Sequence, residues 1–157
     1  MIIISAMTQN RVIGNHAADG MPWDVPEEFE KFLGFIKNQT VIMGRKSFEI
    51  FSGDMSSSTL FVVSRSPVTY PNVTVCSSLD DAVKQAQATG NDVYVAGGGM
   101  IYEQALPLVD KMYLSYIKGD YDGSTYFPEF DEQDWCVIHR EAHPRFEFVV
   151  YERAKRS

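Results

Sequence analysis

The sequence predicts an α/β fold: about eight strands in one mostly parallel, twisted sheet, about four flanking helices, and an antiparallel hairpin on the C-terminal edge. Three observations carry this expectation. Short apolar runs recur along the 157-residue chain. Segments with helical spacing fall between several of them, as the crossover between parallel neighbours requires. The last two runs are joined by a turn alone, which suits antiparallel neighbours.

Ile2 to Ala6 is a continuous apolar run around one Ser5, the pattern of a strand buried on both faces. From about Gln9 to Val25 the chain carries Gly14, Gly20 and Pro22, so an irregular loop is expected. Loops of this length are usually functional, and Met21, Pro22 and Trp23 form an apolar cluster that suits a lid over a site. Pro26 fits a first helical position, and Glu27 and Glu28 suit the positive end of the dipole. Phe29, Phe32, Leu33 and Ile36 then recur on one helical face.

Thr40 to Met43 reads as a strand, Lys46 to Phe51 as a short helix, and Ser52 to Ser58 as a loop. Leu60 to Val63 and Val73 to Cys76 are strands. Leu79 to Ala88 is a helix with Ser78 as its N-cap. Asp92 to Ala96 is a strand, Gly97 to Gly99 a turn, and Met100 to about Leu106 a helix. Met112 to Ile117 is a strand. Trp135 to Arg140 and Phe146 to Glu152 form the closing pair, joined around His143-Pro144. The length fits a single domain over 1–157.

Twenty-one acidic against fourteen basic residues leave a net charge of −7, without a cluster of cations, which argues against nucleic acid and anionic membranes as partners. No apolar stretch approaches a membrane span. The opening Met1 to Met7 segment has no basic residue before it and is too short for a signal sequence. Cys76 and Cys136 are the two cysteines, with no CxxC spacing, so neither a disulfide framework nor a zinc site is expected. The expectation is a monomer in a reducing cytoplasmic compartment.

Ligands of open α/β sheets bind at the carboxyl ends of strands. Three such ends suit phosphate: Gly44-Arg45-Lys46-Ser47, Ser64-Arg65-Ser66 and Gly97-Gly98-Gly99. Cations, hydroxyls and bare backbone N–H groups would converge there on a dinucleotide. The G-x-G-x-x-G fingerprint with a downstream acid is absent, as is the P-loop motif, and cations near the ribose favour NADP over NAD.

Glu28 stands beside Phe29 and Phe32, where a carboxylate's charged form is disfavoured and its pKa rises. Such a group pairs well with a nitrogen-rich heterocycle. Glu27 and Glu28 read equally well as exposed helix-start carboxylates, and the pattern does not choose between them. His16, His139 and His143 lack metal-ligand spacing, and no metal is expected.

Arg11-Val-Ile-Gly14, Met21-Pro-Trp23, Val41-Ile-Met-Gly-Arg45, Ser64-Arg-Ser66, Gly97-Gly-Gly-Met-Ile-Tyr102 and Thr125-Tyr-Phe-Pro128 occur in order. In these motifs and their spacing the chain resembles the dihydrofolate reductase family over nearly its whole length. The resemblance implies hydride transfer from NADPH to C6 of 7,8-dihydrofolate, with protonation at N5. The family's acid lies five positions after the tryptophan, which is Glu28 here. By resemblance Glu28 binds the pterin's N3 and 2-amino edge, Ser115 supports it, and Trp23 joins them as the catalytic set. A water admitted near Met21 and Trp23 is the implied proton donor.

The resemblance further implies that Ile4 and Ala6 floor the pterin site, while Phe29, Phe32, Phe51 and Met55 wall the ring and benzoyl group. Ala96 and Tyr102 border the meeting of nicotinamide and pterin. Arg45, Lys46, Ser64 and Arg65 match the phosphate region. Ala6, Ile13, Gly14, Met21, Gly44, Ser47, Gly97, Gly98, Gly99, Met100, Ile101 and Thr125 complete the cofactor set, with a cis Gly97–Gly98 peptide. Antifolate inhibitors would share the substrate's site.

Two departures stand out. Ser58 occupies the place of an arginine that holds the substrate's glutamate carboxylate in the family, and Leu33 stands where many members carry a cation. Ser124 replaces an acidic residue, which weakens an expected lid latch. The pterin half of the site is retained and the hold on the glutamate tail is weakened. The alternatives are a same-fold reductase of a tail-less pterin or pyrimidine, and a non-catalytic folate or NADPH binder.

Overall fold

The computed structural model describes residues 1–14, 22–51, 55 and 58–155. The strands are β1 (Ile2–Thr8), β2 (Val12–Gly14), β3 (Thr40–Gly44), β4 (Thr59–Val63), β5 (Val73–Cys76), β6 (Val93–Val95), β7 (Lys111–Ile117), β8 (Thr125–Tyr126), β9 (Trp135–Ala142) and β10 (Phe146–Arg153). The helices are α1 (Pro26–Ile36), α2 (Arg45–Phe51), α3 (Leu79–Gln87) and α4 (Gly99–Ala105). Among the described residues, eight strands form one sheet in the order β5-β4-β3-β6-β1-β7-β10-β9. All neighbours from β5 to β7 are parallel, and β10 and β9 add the antiparallel edge. This is the architecture the alternation of strands and helices predicts.

Successive residues of β1 project to opposite faces. Ile3 packs with Ile42, Val95 and Ala82 and Ala86 of α3, together with Ile101 and Ala105 of α4. Ile4 packs with Val41, Met43, Ile36 of α1 and Phe48 of α2. Helices therefore cover both faces, and burial on both sides explains the unbroken apolar runs. A third cluster joins Trp23 and Val25 to Ile117, Phe146 and Phe148 under the closing hairpin. No described helix is long and apolar enough to cross a membrane.

The stretch expected to be irregular from Gln9 to Val25 contains β2, which pairs antiparallel with β8 in a separate two-stranded sheet. Three residues are too few to show an alternation, and their partner lies over a hundred positions away. What selects the strand is tertiary: Arg11 turns the chain at φ 70, Phe127 N–H donates to Arg11 O at 2.8 Å, and Arg11 Nη1 donates to Phe127 O at 2.7 Å. Of the expected lid, residues 15–21 lie outside the described residues, as does most of the Ser52 to Ser58 loop, whereas Trp23 and Val25 are buried under the closing hairpin.

Strand ends also run longer than the apolar pattern. β1 continues through Met7 and Thr8 because these pair with Tyr116 and Ile117 of β7. Ser78 caps α3 as expected, its hydroxyl accepting from Asp81 N–H at 3.1 Å. The end of α1 is closed from outside the helix, by the Ser58 hydroxyl donating to Ile36 O at 2.9 Å.

Candidate active site

α1 starts at Pro26, which needs no N–H partner, and its first turn is held by Glu28 N–H donating to Val25 O at 3.1 Å. That start turns two adjacent carboxylates in opposite directions. Glu27 is exposed and gripped by Arg145, Nε to Oε1 and Nη2 to Oε2, both at 2.5 Å. Glu28 is only 6% exposed and lines a cleft. Burial pushes its pKa up to about 7, against the opposing pull of the Ser115 hydroxyl. The residue pattern left the two open and the resemblance implied Glu28; in the structure it is Glu28 that the first helical turn directs into the cleft.

The cleft floor is the central part of β1, with Ile4, Ser5 and Ala6. Ala6 is in register with Ser115 of β7, so the two strands bring that hydroxyl to Glu28. Phe29 and Phe32 from α1, Phe51 from α2 and Met55 form the wall. Phe29 stacks on Phe32 with ring centroids 5.8 Å apart and meets Phe51 at 6.2 Å, giving a continuous apolar face. Trp23 is buried nearby in the hairpin cluster, and its indole N–H has no hydrogen-bond partner among the described residues.

At the other end the cleft is lined by Ile13, Ser47, Ala96, Gly97, Gly98 and Tyr102. Gly44 N–H donates to Gly97 O at 2.7 Å, which locks the ends of β3 and β6 together. The Gly97–Gly98 peptide is cis, as the resemblance implies. Gly97 sits at φ 110, and a Cβ there would lie 3.1 Å from the Tyr102 ring. Tyr102 is itself fixed, donating to Ile4 O at 2.8 Å, and burial keeps its phenol well above the ordinary range. A Cβ on Gly99 would meet Thr125 at 3.2 Å and Ile13 at 3.9 Å, while Thr125 is in register with Gly14.

Half of the sequence-selected residues line one cleft, drawn from β1, β2, α1, α2, the turn after β6 and α4. Others flank it. Gly44 ends β3, and Ile101 packs 3.3 Å from where its Cβ would be. Ser64 is buried at the end of β4 and its hydroxyl donates to Ser66 O at 3.0 Å. Arg65 is exposed beside it, and Arg45 is exposed with its guanidinium 3.6 Å from Glu49. Lys46 is exposed on α2, and Met100 is 64% exposed on α4. Met21 lies outside the described residues. Ser5 was not selected; a lone hydroxyl inside the Ile2 to Ala6 run was the available signal.

The family model described as dihydrofolate reductase matches residues 1–153. The chain belongs to the dihydrofolate reductase family. It is 30% identical to the dihydrofolate reductase of Bacillus subtilis (strain 168), over 98% of this chain and 95% of that one. It is 32% identical to dihydrofolate reductase type 3 of Salmonella typhimurium, over 90% and 86%. It is 35% identical to dihydrofolate reductase type 15 of Escherichia coli, over 81% and 80%. The fold matches that of the Enterococcus faecalis dihydrofolate reductase solved with NADP(H) and RAB-propyl, with a TM-score of 0.86 at 23% identity, covering 98% of this chain and 96% of that one. Membership agrees with the cleft's form: a dihydrofolate reductase works on small molecules, and here an apolar wall, one buried acid and a glycine-lined end share one concave site.

Proposed function

We infer that the chain reduces 7,8-dihydrofolate to 5,6,7,8-tetrahydrofolate with NADPH as the reductant, residues 1–157 acting as one domain. Glu28 carries the reading: a buried carboxylate in an apolar cleft, opposed by a hydroxyl and with no cation beside it among the described residues. A carboxylate in that setting is matched by a ligand presenting adjacent N–H donors, as the N3 and 2-amino edge of a pterin does.

In this reading Glu28, supported by Ser115, holds the pterin edge between the β1 floor and the Phe29, Phe32 and Phe51 wall. Its negative charge raises the proton affinity of the ring, favouring protonation at N5. The Trp23 N–H, buried and without a partner among the described residues, would orient a water or the substrate. When bound, NADPH supplies the hydride for C6. Its binding fits a cradle in which any Cβ on Gly97, Gly98 or Gly99 would press on Tyr102, Ser47 or Thr125. Ile13, Gly14, Gly44, Ser47, Ala96 and Thr125 would border it, with Arg45, Lys46, Ser64 and Arg65 meeting its phosphates and Met21 its nicotinamide side.

The reading also has the enzyme working as a cytoplasmic monomer on small molecules, antifolates included, without nucleic acid or membrane. The net charge of −7 supports the exclusion of polyanions. The decisive experiment follows NADPH oxidation by the purified chain with 7,8-dihydrofolate as acceptor. NADPH binding without oxidation in the presence of dihydrofolate would leave a non-catalytic binder instead.

A further inference from the structure

We propose that this enzyme recognises the pterin and the aryl group of its substrate but not a charged tail: the outer half of the cleft is a site for an uncharged C6 substituent. The proposal rests on the reductase reading above and concerns which dihydropterins it accepts.

The observation is a distribution of charge. Glu28 is the one Asp, Glu, Lys or Arg among the described residues that line the cleft. Its outer wall is Phe29, Phe32, Phe51 and Met55. Along the sequence, residues 47–64 contain no lysine or arginine. Ser58, which a backbone hydrogen bond of 3.1 Å ties to Met55, has its hydroxyl committed to Ile36 O. That carbonyl belongs to the negative end of α1, whose last turn has no basic residue.

The two lysines of this region do not alter the picture. Lys31 points to the far side of α1, 3.1 Å from Glu141 and 4.6 Å from the Phe148 ring centroid. Lys37 is exposed beyond the end of the helix and is not part of the cleft lining. A carboxylate entering here would lose water without gaining a cation, so it adds no affinity. An aryl group, in contrast, covers the Phe29 and Phe32 faces whether or not it carries a charge.

The test compares two acceptors at saturating NADPH, 7,8-dihydrofolate and the neutral primary amide of 7,8-dihydropteroate, in wild type and in Lys37→Met, at low and high salt. The expected result is a KM for the two acceptors within about threefold of each other, with a ratio that salt does not change. Lys37→Met should leave both values as they are. A dihydrofolate KM tenfold or more below that of the amide overturns the proposal while leaving the reductase reading intact. Loss of dihydrofolate affinity alone in Lys37→Met also overturns it and names the group that holds the tail. Reduction of neither acceptor overturns the reductase reading and this proposal with it.

Discussion

Arg145 holds Glu27 through two parallel hydrogen bonds of 2.5 Å at the surface, while the next residue, Glu28, turns the other way into the cleft. One position along a helix thus separates a surface ion pair from the acid that defines the site. Glu28→Gln should lower kcat/KM for dihydrofolate by on the order of 100-fold or more, since a charge aimed at the reacting ring is lost. NADPH affinity should stay near wild type. Glu27→Gln should change turnover little. Steady-state kinetics of the two variants check this, and equal damage from both would assign the site to the wrong carboxylate.

The raised pKa of Glu28, about 7, makes the ligand-free protein less stable as it ionises. The folded pKa lies above the unfolded value, so this contribution is fully present below pH 4.5 and is lost as pH rises through about 7. Glu28→Gln removes the dependence. The variant should therefore match wild type near pH 4.5 and exceed it at pH 8 by on the order of 3 kcal/mol. Denaturant unfolding at the two pH values measures the difference. An unchanged difference would show that Glu28 is not desolvated.

Arg65 stands exposed at the end of β4, next to the buried Ser64. If it meets the 2′-phosphate, Arg65→Gln should raise the KM for NADPH about tenfold and leave that for NADH nearly unchanged. Equal losses for both cofactors would remove Arg65 from that role.

Gly97 and Gly34 should respond oppositely to alanine. At Gly97 the new Cβ meets a tyrosine ring anchored at both ends of its side chain, at a backbone φ of 110. Gly97→Ala should cost about 2–4 kcal/mol of stability and weaken cofactor binding. Gly34 is exposed on α1 with nothing within 4 Å of a Cβ, so Gly34→Ala should stabilise by about 0.5–1 kcal/mol. Thermal unfolding of both, with NADPH titration of the first, tests the pair.

Ser58→Arg exchanges a helix closure for a cation. Loss of the hydroxyl that meets Ile36 O should cost about 0.5–1.5 kcal/mol of stability. The added guanidinium beside Met55 should lower the KM for dihydrofolate roughly tenfold, with little effect on a neutral acceptor. An unchanged KM for both acceptors would mean that position 58 does not reach the substrate.

The order of strands and helices was legible because each is a local pattern. Apolar runs bounded by turn residues mark Ile2, Thr40, Leu60 and Val73 as strand starts to within a residue, and 3.6-residue spacing marks α1. The site's members were legible as motifs at strand ends. Their assembly was not. β2 is three residues long and exists through Arg11 and Phe127, which no local window contains. Ser58 looked like a missing cation and proved to be the closure of α1. Whether Glu27 or Glu28 enters the cleft depends on where Arg145 and Ser115 stand, over eighty residues away. By itself the sequence determined which segments bury an apolar face, since hydrophobic periodicity is set by neighbours in the chain. Only the tertiary structure decided which polar groups meet, because a hydrogen bond or a desolvated charge is fixed by partners that folding, not sequence proximity, brings within 3 Å or so.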